Sequence, residues 1–204
     1  GSSPSRTFPD AGAIEALEFA AEQKADFVAI SNVTAAEDLI AARAILDRND
    51  LETCIVAKIE RAEALENLDS ILEASDSLMV ARGDMGVEGR LARVPVIQKQ
   101  LIARCNQAGK PAITATQMLE SMVLAPVPTR AEVTDVANAV FEQADAIMLS
   151  GETSVGEFPN RCVKAMDRIA RRMEREPAAR FHELAAPTND RQKLAKAAVN
   201  MAEA

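Results

Sequence analysis

The sequence predicts an α/β fold in which about five parallel strands lie in one sheet with crossover helices. Two observations carry that expectation. Short apolar runs alternate along the chain with longer amphipathic stretches, and each run is of strand length and apolar on both faces, as in a parallel strand covered on both sides. The amphipathic stretches also carry helix start and stop residues at the right offsets.

In chain order, a helix over about 11–23 precedes a first strand at 27–30 (Phe-Val-Ala-Ile). Thr34 followed by Glu37 has capping-box spacing and opens a second helix, after which 54–57 (Cys-Ile-Val-Ala) and 78–81 (Leu-Met-Val-Ala) are strands two and three. Val94, Ile97, Leu101, Ile102 and Cys105 recur at helical spacing, and Gly109 with Pro111 stops that helix. Strand four spans 111–114, Thr129 and Glu132 form another capping box, and strand five spans 146–149. An arginine-rich helix over about 160–176, a loop over 183–189 and a closing helix from Asp190 follow, as if one domain ends and another begins.

Composition narrows the function. The 204 residues are 48% hydrophobic and 26% charged, enough apolar material for one sizeable core. A formal charge of −8, no Trp or Tyr and 3% aromatics argue against a nucleic-acid partner, because a phosphate backbone is repelled and stacking platforms are lacking. Cys54, Cys105 and Cys162 are widely spaced and odd in number, which fits reduced thiols in the cytoplasm. No apolar stretch approaches the ~20 residues of a membrane span, so no membrane partner is expected. The opening Gly1, Ser2 and Ser3 read as an artificial or linker segment covering 1–7.

Several charged residues break the apolar pattern. Lys58 and Glu60 extend the second strand and, by alternation, point to the same side. The third strand runs directly into Arg82, Gly83 and Asp84. Ligands in parallel α/β folds bind at the carboxyl ends of strands, so Lys58, Glu60, Arg82 and Asp84 are expected to share a crevice. Glu60 and Asp84 supply two hard oxygen ligands for Mg2+ or Mn2+; an ion-pair network between adjacent strand ends explains the same spacing. Thr114, Thr116 and Gln117 end strand four and Ser150 to Thr153 end strand five, adding hydroxyls at that rim. Gly83 and Gly86 would let backbone amides approach an anion. His182 lies beyond the last strand, away from any acid–base role, and Arg168, Arg171, Arg172 and Arg175 read as a solvated helix face.

Six stretches in register, 55–60 (Ile-Val-Ala-Lys-Ile-Glu), 79–88 (Met-Val-Ala-Arg-Gly-Asp-Met-Gly-Val-Glu), 112–122, 128–132, 135–140 and 147–153 (Ile-Met-Leu-Ser-Gly-Glu-Thr), resemble the pyruvate kinase family in order and spacing, from about Phe8 to about Glu176. The resemblance implies a TIM barrel, of which this chain would be a partial (β/α) piece over 8–176, with 177–204 a linker and the first helix of a C-terminal domain. It implies phosphoryl transfer from phosphoenolpyruvate to ADP, giving pyruvate and ATP, in cytoplasmic glycolysis. Carried over by position, Lys58 would stabilise charge on the transferring phosphoryl group and the enolate, and Glu60 with Asp84 would hold Mg2+ or Mn2+. The backbone of Ala81, Arg82, Gly83 and Asp84 with Thr116 would bind the substrate carboxylate, Ser31 matches a further substrate-binding position, and Ser150 would belong to the water network that protonates enolpyruvate. Glu120 and Arg130 fall in stretches that help form the pocket edge and subunit contact, or act as cap and ion-pair residues.

The chain departs from the pattern at Asn32, where phenylalanine is usual, and at 87–90, where Val-Glu-Gly-Arg replaces the usual Ile-Pro after the glutamate. What corresponds to three strands, the lid and most of the C-terminal domain is missing, and with it the K+ site and most nucleotide contacts the family implies. A homo-oligomer, or association with the missing barrel segments, is therefore expected. Two alternatives stand beside the kinase: a stand-alone metal-dependent 2-oxo-acid enzyme and a non-catalytic interaction module.

Overall fold

A computed structural model describes residues 8–47, 53–61, 63–87, 91–176, 187 and 189–202. Five strands, β1 (Phe27–Ile30), β2 (Cys54–Ile59), β3 (Ser77–Ala81), β4 (Ala112–Ala115) and β5 (Ala146–Met148), form one sheet in sequential order with every neighbouring pair parallel. The helices are α1 (Ala11–Glu22), α2 (Ala36–Leu46), α3 (Glu63–Glu66), α4 (Leu68–Ala74), α5 (Arg82–Val87), α6 (Val94–Ala108), α7 (Arg130–Phe141), α8 (Gly151–Ser154), α9 (Pro159–Met173) and α10 (Asp190–Ala202). Short 3-10 turns occupy Leu91–Arg93 and Glu120–Val123. This is a partial α/β barrel: strands in sequence order, each joined to the next through helix.

Local chemistry sets the boundaries. The Asp10 carboxylate accepts from the Ala13 amide at 2.8 Å and caps α1. Thr129 and Glu132 form the expected reciprocal box on α7, with Thr129 N donating to Glu132 Oε2 at 2.7 Å. At α2 the acid differs from the expectation: Asp38, not Glu37, reaches back to the amides of Thr34 and Ala35. α6 starts with Pro95 in its first turn and stops at Gly109, whose φ of 67° is costly for any residue with a Cβ.

The sheet buries its two faces unequally. Residues on the helix side, including Ile55, Ala57, Ile59, Leu78, Val80 and Ala112, pack with Leu39, Leu46, Ile71, Leu101 and Ile102 into the main core. A second core forms where Met118, Leu119 and Met122 meet Val136 and Ala139 of α7 and Cys162 and Met166 of α9. The opposite side of the sheet holds a small cluster of Val56, Met79 and Ala115 with the half-buried Ile113 and Met148. At the β1 edge that side is open: Phe27, in register with Cys54, is 67% exposed. The strands are therefore not uniformly apolar-and-buried on both faces as the sequence suggested. β2 runs to Ile59, so Lys58 extends it as expected while Glu60 follows its end, and the stretch after β3 winds into α5. Glu88 to Arg90, His182 and, within the predicted loop over 183–189, residues 183–186 and 188 lie outside the described residues.

Candidate active site at the carboxyl ends of the strands

Lys58 is the last residue but one of β2 and Glu60 follows its end, so alternation puts both side chains on the open side of the sheet, in phase with Val56. There they meet: Lys58 Nζ lies 2.8 Å from Glu60 Oε1 and donates to Ser31 Oγ at 2.7 Å, across the gap from the end of β1. The second carboxylate oxygen of Glu60 accepts the Asn32 amide at 2.7 Å. Asn32 sits at φ 56°, a left-handed conformation that asparagine tolerates better than bulkier residues, and its side-chain oxygen accepts from Arg61 Nε at 3.3 Å. Glu60 is 2% exposed and the lysine 25%, so the acid is buried and the ammonium faces outward. A cleft of about 600 Å3 adjoins this corner, but on the helix side of β1, lined by Phe8, Leu17, Asn32, Arg61 and Asn67 rather than by Lys58.

The end of β3 behaves differently. Arg82 is in phase with Leu78 and Val80, and its side chain enters the helix side and is 8% exposed. Its Nη1 donates to both Asp135 oxygens at 2.8 and 2.7 Å and to Gln98 Oε1 at 3.4 Å. Nη2 donates to Thr116 O at 2.6 Å and to Met118 Sδ, and Nε is shared between the carbonyls of Ala115 and Thr116. The arginine side chain thus does not join the crevice with Lys58 and Glu60, correcting the expectation that all four charged residues share it. The backbone of Ala81 to Asp84 does stay at the rim, with Ala81 beside Ala115 in register.

Thr116 and Gln117 both adopt the left-handed region, with φ of 68° and 52°. This turn places Thr116 Oγ1 where it accepts the Gly83 amide at 2.8 Å and donates to Ala115 O at 2.7 Å. A Cβ added at Gly83 would lie 3.5 Å from the same oxygen, an ordinary van der Waals contact, so this approach does not depend on the missing side chain. Asp84 is exposed in the first turn of α5, and among the described residues no hydrogen bond or ion pair ties it to another candidate. Ser150 precedes the single turn α8 without a side-chain cap bond, and its amide donates to Glu152 Oε2 at 2.8 Å; Glu152, fully buried, also accepts from Leu119 N at 3.0 Å. The structure therefore joins Ser31 with Lys58 and Glu60, and Gly83 with Thr116, while Asp84 and Ser150 stand at separate strand ends.

Sequence reasoning passed over Asp135, Gln98 and Glu152. The strand phase of Arg82 was the available signal for the first two. Gln98 also donates to Glu142 Oε2 at 2.7 Å, and Glu142 lies near Lys99. Burial raises the Glu142 pKa above the usual carboxylate value, the bond from Gln98 and the charge of Lys99 pulling the other way. At Glu132 burial also pushes upward, but donors from Ser121 and Thr129 outweigh it and hold the pKa below the usual value.

Glu60 and Asp84 offer oxygen donors of the kind a hard divalent ion takes, but among the described residues no contact brings the two carboxylates together. Each oxygen of Glu60 holds one protein donor and keeps acceptor capacity, and Asp84 is exposed. Among the described residues no group of three or more His, Cys, Asp or Glu is clustered for a metal.

The family profile described as "Pyruvate kinase, barrel domain" matches residues 11–163. The chain is 55% identical over 157 residues to a protein named pyruvate kinase from Geobacillus stearothermophilus, 53% over 168 residues to one from Sporosarcina psychrophila and 49% over 158 residues to one from Dictyostelium discoideum. The matches cover 76%, 82% and 78% of this chain but 27%, 28% and 31% of those proteins, so the chain spans less than a third of the length of these relatives. No helix among the described residues is long and apolar enough to cross a membrane. The matched profile, the relatives about half identical over three quarters of the chain and the strand order agree: the chain belongs to the pyruvate kinase family.

Proposed function

We propose that this chain carries the metal and phosphoenolpyruvate half of a site that transfers a phosphoryl group from phosphoenolpyruvate to ADP, giving pyruvate and ATP. The observation that carries the proposal is the corner of Lys58, Glu60 and Ser31, a buried carboxylate orienting an outward ammonium at a strand end. Phosphoryl transfer asks chiefly for positioning and for positive charge where oxygens gain negative charge. Lys58, held between Glu60 and Ser31, would serve the transferring phosphoryl group and the enolate oxygen. Ser31 orients the ammonium and contacts substrate at the same corner.

Glu60 and Asp84 would hold Mg2+ or Mn2+, which when bound supplies charge neutralisation to the substrate oxygens. The backbone of Ala81 to Asp84 with Thr116 receives the substrate carboxylate. The Gly83 amide donates to Thr116 Oγ1, so a bound carboxylate would take over a donor that the threonine satisfies. Ser150, with its amide anchored by Glu152, would order the water that protonates enolpyruvate. K+ is the further ion the family implies. Cytoplasmic localisation and assembly with further barrel segments complete the proposal.

The test is proton NMR relaxation of phosphoenolpyruvate in the presence of Mn2+ and the chain. The expected outcome is faster relaxation of the vinyl signals than with Mn2+ alone, lost in Glu60→Gln and weakened about tenfold or more in Lys58→Met. Vinyl relaxation equal to that of phosphoenolpyruvate and Mn2+ without the chain would overturn the proposal.

A further inference from the structure

We infer that Gln98 and Asp135 are positioning residues that act through Arg82 to hold the left-handed turn at Thr116. The inference rests on Thr116 and Gly83 forming the carboxylate subsite, and its test needs no substrate.

Arg82 has five N–H groups, and every one has an acceptor: the Asp135 carboxylate and Gln98 Oε1 for Nη1, Thr116 O and Met118 Sδ for Nη2, and the carbonyls of Ala115 and Thr116 for Nε. Gln98, 4% exposed, cannot exchange its two ends freely, because its NH2 group is committed to Glu142. Its oxygen is thereby fixed toward the guanidinium. A chain of polar contacts runs from Glu142 on the helix side, through Gln98, to Arg82 and on to Thr116 O.

The far end of that chain is strained. Two consecutive residues with side chains, Thr116 and Gln117, occupy left-handed backbone, a conformation that persists where its surroundings over-determine it. Arg82 grips the carbonyl of the first at 2.6 Å, and the hydroxyl of that same residue meets the Gly83 amide. Turning the guanidinium would release the carbonyl and with it the threonine hydroxyl. Gln98 and Asp135 touch no candidate ligand group themselves; their effect passes through the arginine.

The test is amide hydrogen exchange of the full chain followed by NMR, read at Gly83. Gln98→Met keeps the shape and removes the hydrogen bonds, and the Gly83 amide is expected to exchange about tenfold faster while the β3–β4 ladder amides are unchanged. The double variant Gln98→Glu with Glu142→Gln exchanges donor for acceptor and rebuilds the contacts, so protection should return. Asp135→Asn should give a partial loss at the same amide. Gly83 protection within about twofold of the parent in Gln98→Met, or loss in that variant without recovery in the exchanged pair, would overturn the inference. Phosphoenolpyruvate titration of the same samples separates the outcomes: exchange at Gly83 reports the clamp even if the chain binds no substrate.

Discussion

The ends of β2 and β3 both turn abruptly from apolar to charged, yet the two charges have opposite fates. Lys58 shares the phase of Val56 and emerges on the open side of the sheet, where it is partly exposed and held by one acid and one hydroxyl. Arg82 shares the phase of Val80, is buried under the helices and has all its donors used. A charge at a strand end is therefore left partly open at the rim or locked into a structural clamp according to which face it inherits, and one residue of phase decides between them.

The largest expected effect comes from breaking the clamp. Arg82→Met should lower stability by about 3 kcal/mol, because it orphans the Thr116 carbonyl and leaves Asp135 and Gln98 without their shared partner. A shift of the urea midpoint with unchanged slope measures it, and a loss below about 1 kcal/mol would mean the arginine is replaceable packing.

At the other corner, Glu60→Gln should cost less stability, about 1 kcal/mol, since its lysine partner can turn toward water. Its main consequence should be at least about tenfold weaker Mn2+ binding, followed by electron paramagnetic resonance. Equal Mn2+ affinity would reduce the corner to an ordinary ion pair.

The smallest effects are in pH dependence, where Glu132 and Glu142 should act with opposite sign. Glu132, with its pKa held below the model-compound value of 4.5, contributes stability that is present above that value and lost as pH falls through the folded pKa. Glu142, with its pKa raised above 4.5, costs stability as pH rises from that value through the folded pKa. Urea midpoints across this range should show a shallower acid-side loss in Glu132→Gln and a shallower decline on the other side in Glu142→Gln.

Much of the architecture was legible because buried parallel strands and capped helices leave strong local patterns, and all five strands fall where the apolar runs are. The family resemblance was equally legible, carried by long motifs in register. What escaped notice was set by three-dimensional partners. The acid that caps α2 is chosen by geometry between Glu37 and Asp38, and α5 forms from a stretch whose two glycines give no helix signal. Asp135, Gln98 and Glu152 are ordinary helix residues in sequence; their significance comes from amides and a guanidinium brought to them by other elements. The Lys58 and Glu60 contact, by contrast, follows from alternation alone.

The open side of the sheet gives the molecule a built-in reporter. Cys54 stands there beside Phe27 and is half-buried, whereas Cys105 and Cys162 are buried, and burial pushes the Cys105 thiol up to about 12. A thiol reagent should therefore find one cysteine far ahead of the other two. The rate at which it does so records whether anything lies across that face, so a single labelling curve can follow the covering of the sheet by any added segment, subunit or ligand.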